Sequence, residues 1–366
     1  MKWLLIILLT MHWAYTSAQY KKVPDFNNER NKVNDQIRKG GYHGFKVIEL
    51  ELAPNDTHFD TTTLSDYTYY PSGLIKEASF YNYLKRDEDI DSAYRKRLNI
   101  FSDAQTTEYN YDAAGNMISE IEYIVEPANS FSALVSLMVI YTRDNGHQPA
   151  PNFIDSMLTV GIPERRILSL SQEFIYNSDG NPVLVNDLKT GETTRYSYQY
   201  DDKKRVTIQR MTTYDRDVAS AKSVSVYRFV YDANGCLDSV SKNMEFSSKR
   251  KYNKKGKIIE DVYTNIVGKY TVRKKQIYAY KDTFMISNTS LNDRNDTIQI
   301  VQYRYSNKKQ VEEKEYSLRS GERKLTDHQE YFYDKSGNIQ KVKYYKVDPE
   351  SGNKEVNYKI ELFTLY

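Results

Sequence analysis

The chain has 366 residues, with 52 basic and 49 acidic side chains and a formal net charge of +3. This near balance gives no reason to expect nucleic acid or an anionic membrane surface as a partner. Cys236 is the only cysteine. An internal disulfide is therefore excluded, and hydrogen bonds and side-chain packing must hold the fold together.

The first residues have the layout of a secretory signal peptide. Lys2 precedes an apolar stretch over 3–9, and the small residues at 16–18 precede Gln19. This pattern predicts cleavage after Ala18 and a protein exported to the periplasm, the outer-membrane surface or the cell exterior. The apolar stretch is shorter than the ~20 residues that a membrane-spanning helix requires. We therefore expect no transmembrane helix after cleavage, with an uncleaved anchor helix as the alternative.

The next segments are irregular. Residues 19–45 are polar and predict an N-terminal arm, and residues 46–170 predict a β segment with insertions. Within it, near-helical spacing of apolar residues in the charged stretch 84–107 predicts one short helix near 88–101. The apolar run 131–141 is too short to span a membrane as a helix, so it predicts a buried strand or a core helix.

A tyrosine-rich hairpin unit recurs along most of the chain, with its clearest copies at 109–123, 229–240 and 331–345. In each copy an aspartate follows the last tyrosine and a glycine comes three residues later. This spacing predicts a type I turn closed by a bulge, because the aspartate side chain bonds the backbone ahead and glycine accepts a positive φ. The predicted turn residues are Asp112 and Gly115, Asp232 and Gly235, and Asp334 and Gly337.

Degenerate copies extend the pattern at irregular intervals, most plainly over 171–366. Tyrosines at 70, 176, 200, 252, 280 and 305 align with the unit. The intervals between successive copies are long enough to hold two strands and two turns. Because these intervals are irregular, a strict solenoid is not expected. We therefore predict an all-β fold, a meandering antiparallel β-hairpin array that forms a curved or rolled sheet. Residues 46–366 are expected to form one continuous β domain.

The segments YDAAGN, YDANGC and YDKSGN resemble the YD repeats of Rhs-type bacterial cell-surface proteins and teneurins. A group of exported Gram-negative proteins of unknown function, with a porin-like β fold, is similar in the same way. The resemblance covers about 67–345 and implies β architecture and a surface location more than any activity. The arginine that is common after the family's glycine is absent, since Asn116, Cys236, Lys257 and Asn338 stand there.

No motif predicts catalysis or a cofactor. Four histidines follow the signal peptide, His43, His58, His147 and His328, without the helical pairing of a zinc site. We expect them at the surface or in loops, and we predict no catalytic residue, no metal and no cofactor. Asp87, Asp89 and Asp91 open like a calcium loop, but Ser92 replaces its glycine and Leu98 its glutamate. A secreted carbohydrate-active enzyme is kept as a second alternative, since paired carboxylates cannot be selected without geometry.

The tyrosines allow a binding hypothesis. A flat apolar ring with a hydroxyl at its edge suits stacking on sugars or protein interfaces. Alternating tyrosines on one strand face predict a speculative platform made of Tyr196, Tyr198, Tyr200, Tyr303 and Tyr305. The simpler interpretation is that these tyrosines form cross-strand pairs that need no ligand.

We therefore predict an exported, non-catalytic scaffold or binding module for a cell-surface glycan or protein. The first alternative is an outer-membrane β-barrel. The final residues alternate and end in an aromatic, Tyr366, as a closing barrel strand does. Lysines on both faces of the strand at 338–346 argue against the apolar outer band that such barrels need.

Overall fold

The computed structural model describes residues 40–52, 59–84, 97–149, 151–243, 245–267, 270–319, 322–347 and 355–366. The predicted signal peptide, most of the predicted N-terminal arm, His58 and the calcium-like aspartates lie outside these residues. Within them the chain forms twenty strands and two helices.

The strands, in chain order, are β1 (Gly44–Leu52), β2 (Phe59–Tyr69), β3 (Ile75–Tyr83), β4 (Phe101–Tyr111), β5 (Met117–Glu126), β6 (Arg165–Tyr176), β7 (Pro182–Asp187), β8 (Thr193–Tyr200), β9 (Val206–Tyr214), β10 (Ala221–Tyr231), β11 (Leu237–Lys242), β12 (Phe246–Tyr252), β13 (Ile258–Val267), β14 (Tyr270–Lys281), β15 (Phe284–Leu291), β16 (Thr297–Ser306), β17 (Lys309–Arg319), β18 (Glu322–Tyr333), β19 (Ile339–Val347) and β20 (Glu355–Leu365). The helices are α1 (Phe131–Asn145) and α2 (Pro151–Val160).

All twenty strands belong to one antiparallel sheet. Consecutive strands pair from β1 to β6 and from β7 to β19. β1 pairs with β2 on one side and with β20 on the other, where Phe45 lies opposite Leu365. Gly44 and Tyr366 exchange backbone hydrogen bonds of 3.1 Å in both directions.

The predicted open, curved or rolled sheet is therefore wrong. The sheet is a closed antiparallel barrel of twenty strands with two short helices, because its first strand pairs with its last one. Side-chain chemistry predicts the local pattern of strands and turns. The partner of an edge strand, in contrast, depends on contacts between residues that are far apart in the sequence.

The two helices lie between β5 and β6. The apolar run 131–141 is part of α1, which resolves the choice between strand and helix. Ser130 caps this helix by accepting a 3.1 Å hydrogen bond from the Ala133 amide, and Gly146 ends it with φ +74°. The helix predicted near 88–101 has a different outcome. Its described part, 97–101, is a turn followed by the start of β4.

The chain divides into two compact units. Unit 1 contains residues 175–186 and 191–358, and its core cluster consists of Val206, Phe229, Leu237 and Val240. Unit 2 contains residues 29–174, 187–190 and 359–366. It has one cluster around Tyr67, Tyr69 and Ala78 and another that joins the helices through Ala133, Leu134, Leu158 and Ile162.

The strands of unit 1 have two distinct faces. In β8 the three tyrosines at 196, 198 and 200 are half-buried, whereas Arg195, Ser197 and Gln199 are exposed. The face that carries these tyrosines is called the tyrosine face. The opposite face, which carries Lys249, Glu260, Lys275, Arg304, Glu312 and Lys314 on later strands, is called the charged face.

Candidate functional site

The aspartate of the hairpin unit organises its turn through the backbone. The carboxylate Oδ1 of Asp112 accepts hydrogen bonds from the amides of Ala114 (2.9 Å) and Asn116 (2.8 Å). The amide of Gly115 donates to the carbonyl of Asp112 at 3.0 Å, and Gly115 has φ +80°. Asp232 with Gly235, and Asp334 with Gly337, form the same backbone bond and the same positive φ.

Two further turns have this geometry without a glycine. Lys204 takes φ +60° in the turn that begins at Asp201, and Asn295 takes φ +63° in the turn that begins at Asn292. They are not recognisable from the sequence as complete copies, because neither has glycine at the fourth position. The remaining signal is the Asp or Asn at the first position, whose side chain bonds the amides two and four residues ahead.

We expect Asp112→Ala to lower the free energy of unfolding by about 1–2 kcal/mol, because two backbone amides lose their acceptor. Asp112→Asn should cost much less, since Asn177 and Asn253 fill the same position in other turns. Although burial acts in the opposite direction, hydrogen bonds from Asn116 hold the pKa of Asp112 below its usual value. The contribution of Asp112 should therefore be present at neutral pH and be lost as the pH falls below its ordinary pKa. Urea denaturation of the two variants at pH 7 tests this, and equal losses would contradict it.

In four copies of the hairpin unit, the tyrosine before the turn binds the preceding hairpin. Its hydroxyl donates to a carbonyl at the start of the strand that follows the previous turn. The pairs are Tyr231 with Val206 (2.9 Å), Tyr252 with Leu237 (2.7 Å), Tyr280 with Ile258 (2.9 Å) and Tyr333 with Gln310 (2.7 Å). Burial raises the pKa of Tyr231 to about 12, so its hydroxyl remains a donor at ordinary pH. These tyrosines link successive turns of unit 1.

A cation covers several of these rings. The guanidinium carbon of Arg205 lies 4.3 Å from the ring centre of Tyr231, and Lys257 Nζ and Lys309 Nζ lie 5.0 Å from the rings of Tyr280 and Tyr333. Each cation directly follows the positive-φ residue of a turn. Arg205 therefore stands where the resembling family has its arginine. This arginine is not recognisable from the sequence, because Lys204 stands where the unit has its glycine.

The predicted platform tyrosines lie on the tyrosine face and are engaged with the protein. Tyr198 donates to the carbonyl of Pro182 at 2.7 Å, and Tyr200 accepts from Asn181 Nδ2 at 3.0 Å. The ring of Tyr305 packs against Phe284 at 4.9 Å between centres. Tyr196 and Tyr303 are half-buried on the same face. The structure thus separates the five tyrosines into two strands, β8 and β16, that are not neighbours in the sheet.

The tyrosine face also contains a buried ion pair. Asp261, which is 1% exposed, accepts from Arg250 Nε at 2.9 Å and from Ser248 Oγ at 2.8 Å. Arg250 and Asp261 lie directly opposite one another on β12 and β13. Each charge compensates the other in a place where neither could be left alone without a large cost.

Carboxylates cluster further along the same face. Glu315 and Asp327 are directly opposite one another on β17 and β18, and Glu313 lies on the same side. Burial, together with the charge of Glu315, raises the pKa of Asp327 to about 6. Burial also raises the pKa of Glu313, which accepts from Gln310 at 3.1 Å. Facing carboxylates repel, so this part of the sheet favours a protonated state.

We expect Asp327→Asn to stabilise the protein at pH 7 by about 1 kcal/mol, after allowance for solvent screening. The folded pKa of Asp327 is raised, so its stabilising contribution exists below its ordinary pKa of 3.8 and is lost as the pH rises through about 6. The variant and the parent should therefore have similar stability at pH 4. Thermal unfolding at both pH values measures the difference, with Asp293→Asn in an exposed turn as the control.

A group with metal-ligating atoms lies on the charged face. Ligand atoms of Glu312, His328 and Glu330 lie within 4.8 Å of one another. Arg304 (2.9 Å) and Lys314 (3.2 Å) already pair with Glu312. Although burial acts in the opposite direction, these two cations lower the pKa of Glu312 to about 2. Two cations on one ligand oppose a metal ion, so the arrangement is best described as a salt-bridge network.

The histidines do not all lie where the sequence predicted. His328 was expected at the surface or in a loop, but it is 6% exposed and lies within β18. Its ring stacks on Tyr345 with 5.0 Å between centres. His43 and His147 lie outside strands and helices.

Unit 2 contains a second buried charge group. Lys359 Nζ lies 2.6 Å from Glu49 Oε2 and 3.0 Å from Glu361 Oε1. All three residues are less than 10% exposed, and the two glutamates are directly opposite one another on β1 and β20. One cation therefore balances two facing carboxylates where the first and last strands meet.

No family model and no curated protein matches the sequence. Solved structures do match. The chain is similar to the crystal structure of TcdB2-TccC3-TEV, with 13% identity and a TM-score of 0.36 over 85% of this chain and 15% of that chain. It is also similar to a porin-like protein from Bacteroides uniformis ATCC 8492, with 10% identity and a TM-score of 0.28 over 89% of this chain and 98% of that chain. The chain spans only about 15% of the length of the first of these structures.

No family model confirms membership of the YD-repeat family. The closed barrel fits the predicted alternative, an outer-membrane barrel, better than the scaffold or binding module that was predicted first. It is consistent with an exported or outer-membrane protein. Across the described ranges, neither helix has the length and apolar character to cross a membrane.

Proposed function

We propose that the chain is an exported closed β-barrel that works in water as a binding module for a polar cell-surface ligand. One observation carries the proposal: both faces of the unit 1 strands bear charged side chains. The closed barrel alone supports an outer-membrane barrel at least as well as a barrel in water. The positions of the charged side chains therefore distinguish the two candidates.

A barrel in lipid needs an apolar side chain at every outward position of its membrane band, and a lysine or arginine there costs about 2–4 kcal/mol at the midplane. The charged face has Lys275 and Glu260 in a salt bridge, and Arg304 and Glu312 in another. The tyrosine face has the Arg250–Asp261 pair and the carboxylates around Asp327. Neither face provides an apolar band, which supports a barrel surrounded by water.

The second candidate is an outer-membrane barrel. The pairing of β1 with β20 supports it. The hydroxyl of Tyr366 also donates to Asp66 Oδ1 on β2 at 2.6 Å.

Cell fractionation separates the two candidates. The full chain is expressed with its own N-terminus in a Gram-negative host, and its release by osmotic shock is compared with its extraction by detergent. We expect release without detergent and a single electrophoretic mobility in heated and unheated samples. Detergent-dependent extraction with a heat-dependent mobility shift would replace our proposal with the outer-membrane barrel.

A further inference from the structure

A cavity of about 450 Å³ lies in unit 1, at the end of the sheet opposite to the tyrosine-linked turns. The start of β8 and the β9–β10 loop line it, through Thr193, Arg195, Tyr214, Arg216 and Asp217. Ligand cavities for small molecules have volumes of about 300–1,000 Å³. This cavity therefore has room for one or two sugar rings.

Two arginines in the cavity are available for an anion. Within the described part of the chain, neither Arg195 nor Arg216 has a carboxylate within the 4.0 Å of an ion pair. A guanidinium without a carboxylate partner is a donor set that matches a carboxylate or sulfate in two parallel hydrogen bonds. The cavity therefore offers two guanidinium donors to an anion, and the carboxylate of Asp217 also lies in its lining.

Each arginine side chain is exposed and lies near one neighbouring residue. Arg195 lies over the ring of Tyr214, 5.4 Å from its centre. Arg216 passes close to Gly191, where a Cβ atom would lie 2.9 Å from the Arg216 Cδ atom. Gly191 thus leaves room for the Arg216 side chain to lie close to the backbone.

A salt-bridge network holds the two sides of the cavity together. Lys222 on β10 bridges Glu192, which precedes β8, and Asp215 in the β9–β10 loop, at 2.9 Å from the latter. These two carboxylates raise the pKa of Lys222 well above its usual value. Asp215 is thus occupied by Lys222, and the arginines of the cavity keep their charge uncompensated by it.

We propose that this cavity binds an acidic sugar, with Arg195 and Arg216 holding the carboxylate of a uronic acid residue. Tyr214 supplies an aromatic surface of the kind that sugars stack on, and Thr193 and Asp217 supply oxygens for the sugar hydroxyls. The inference rests on the proposed binding function and names its site and ligand class. It moves the site from the tyrosine platform, whose rings bind other parts of the protein, to the β9–β10 loop.

Calorimetric titration of the purified full chain tests the proposal with trigalacturonate and the neutral maltotriose. We expect the acidic oligomer to bind and the neutral one not to bind. Arg195→Ala and Arg216→Ala should each weaken binding by about 10-fold or more, because each removes a charge-assisted hydrogen bond. Arg216→Lys should fall between the parent and Arg216→Ala, since it keeps the charge and loses the planar pair of donors.

Arg273→Ala is the matched control, because Arg273 is an exposed arginine on the charged face that does not line the cavity. It should bind as the parent does. Unchanged affinity in both cavity variants, or no heat with trigalacturonate at millimolar concentration, would overturn the proposal. If binding fails but the chain is released without detergent, only the acidic-sugar site is contradicted, and the proposed water-exposed barrel stands. Detergent-dependent extraction would instead contradict the water-exposed barrel itself.

Discussion

Asp261→Asn is expected to lower the free energy of unfolding by about 3–5 kcal/mol, because it removes the carboxylate that pairs with the buried charge of Arg250. Arg250 has a side chain that is 11% exposed, and Asp261 accepts its 2.9 Å bond as well as one from Ser248. Chemical denaturation at pH 7, with far-ultraviolet circular dichroism as the signal, measures the loss.

Glu260→Gln is the matched control, since Glu260 precedes Asp261 in the same strand and points to the charged face. Its salt bridges run to Lys251, whose side chain is 64% exposed, and to Lys275. Surface ion pairs of this kind contribute about 0–1 kcal/mol. Equal losses in the two variants would show that the ion pair on the tyrosine face is not specially stabilising.

Lys359→Met is expected to have a similarly large effect in unit 2, again about 3–5 kcal/mol, because two facing buried glutamates lose the cation that lies between them. Lys46→Met in β1 is the control, since Lys46 is 45% exposed and pairs with Asp66 at 3.2 Å. That change should cost no more than about 1 kcal/mol. A loss for Lys359→Met as small as that of the control would contradict the prediction.

The charge of Lys359 should also affect how the stability of the parent chain depends on pH. Burial acts against the charge of Lys359, but the attraction of Glu361 and Glu49 is greater and raises its pKa. A lysine with a raised folded pKa stabilises the fold fully below its ordinary pKa of 10.5 and loses that contribution as the pH rises through the folded value. Stability should therefore fall above about pH 10.5 in the parent, and less steeply in Lys359→Met.

Local chemistry explains what the sequence could predict. The hairpin unit places Asp112 and Gly115 at turn positions that depend only on residues within reach of one side chain. Strand periodicity likewise places Tyr196, Tyr198 and Tyr200 on one half-buried face. Lys204 shows the limit of this reasoning, because a lysine at positive φ is disfavoured on its own and is kept there by the bonds of Asp201 around it.

Long-range contacts explain what the sequence could not predict. Phe45 and Leu365 come together only in the folded chain, and the identity of neither residue predicts that they pair. The sequence does not predict the buried ion pair for the same reason. Arg250 and Asp261 are two of many charged residues, and only the register of β12 and β13 places them opposite one another. The cavity at Arg195 and Arg216 depends on a loop conformation that no sequence motif predicts.

The pairing of β1 with β20 also has a consequence for how quickly the chain folds. Most strands pair with their sequence neighbours, so each hairpin closes a short loop and can form early and independently. Joining the two ends of the chain closes the longest loop in the molecule, and its entropic cost is offset only after the intervening hairpins have shortened the path between the ends. We infer that this seam forms last in folding and opens first in unfolding. In stopped-flow refolding, Lys359→Met at the seam should therefore speed unfolding while leaving the refolding rate nearly unchanged.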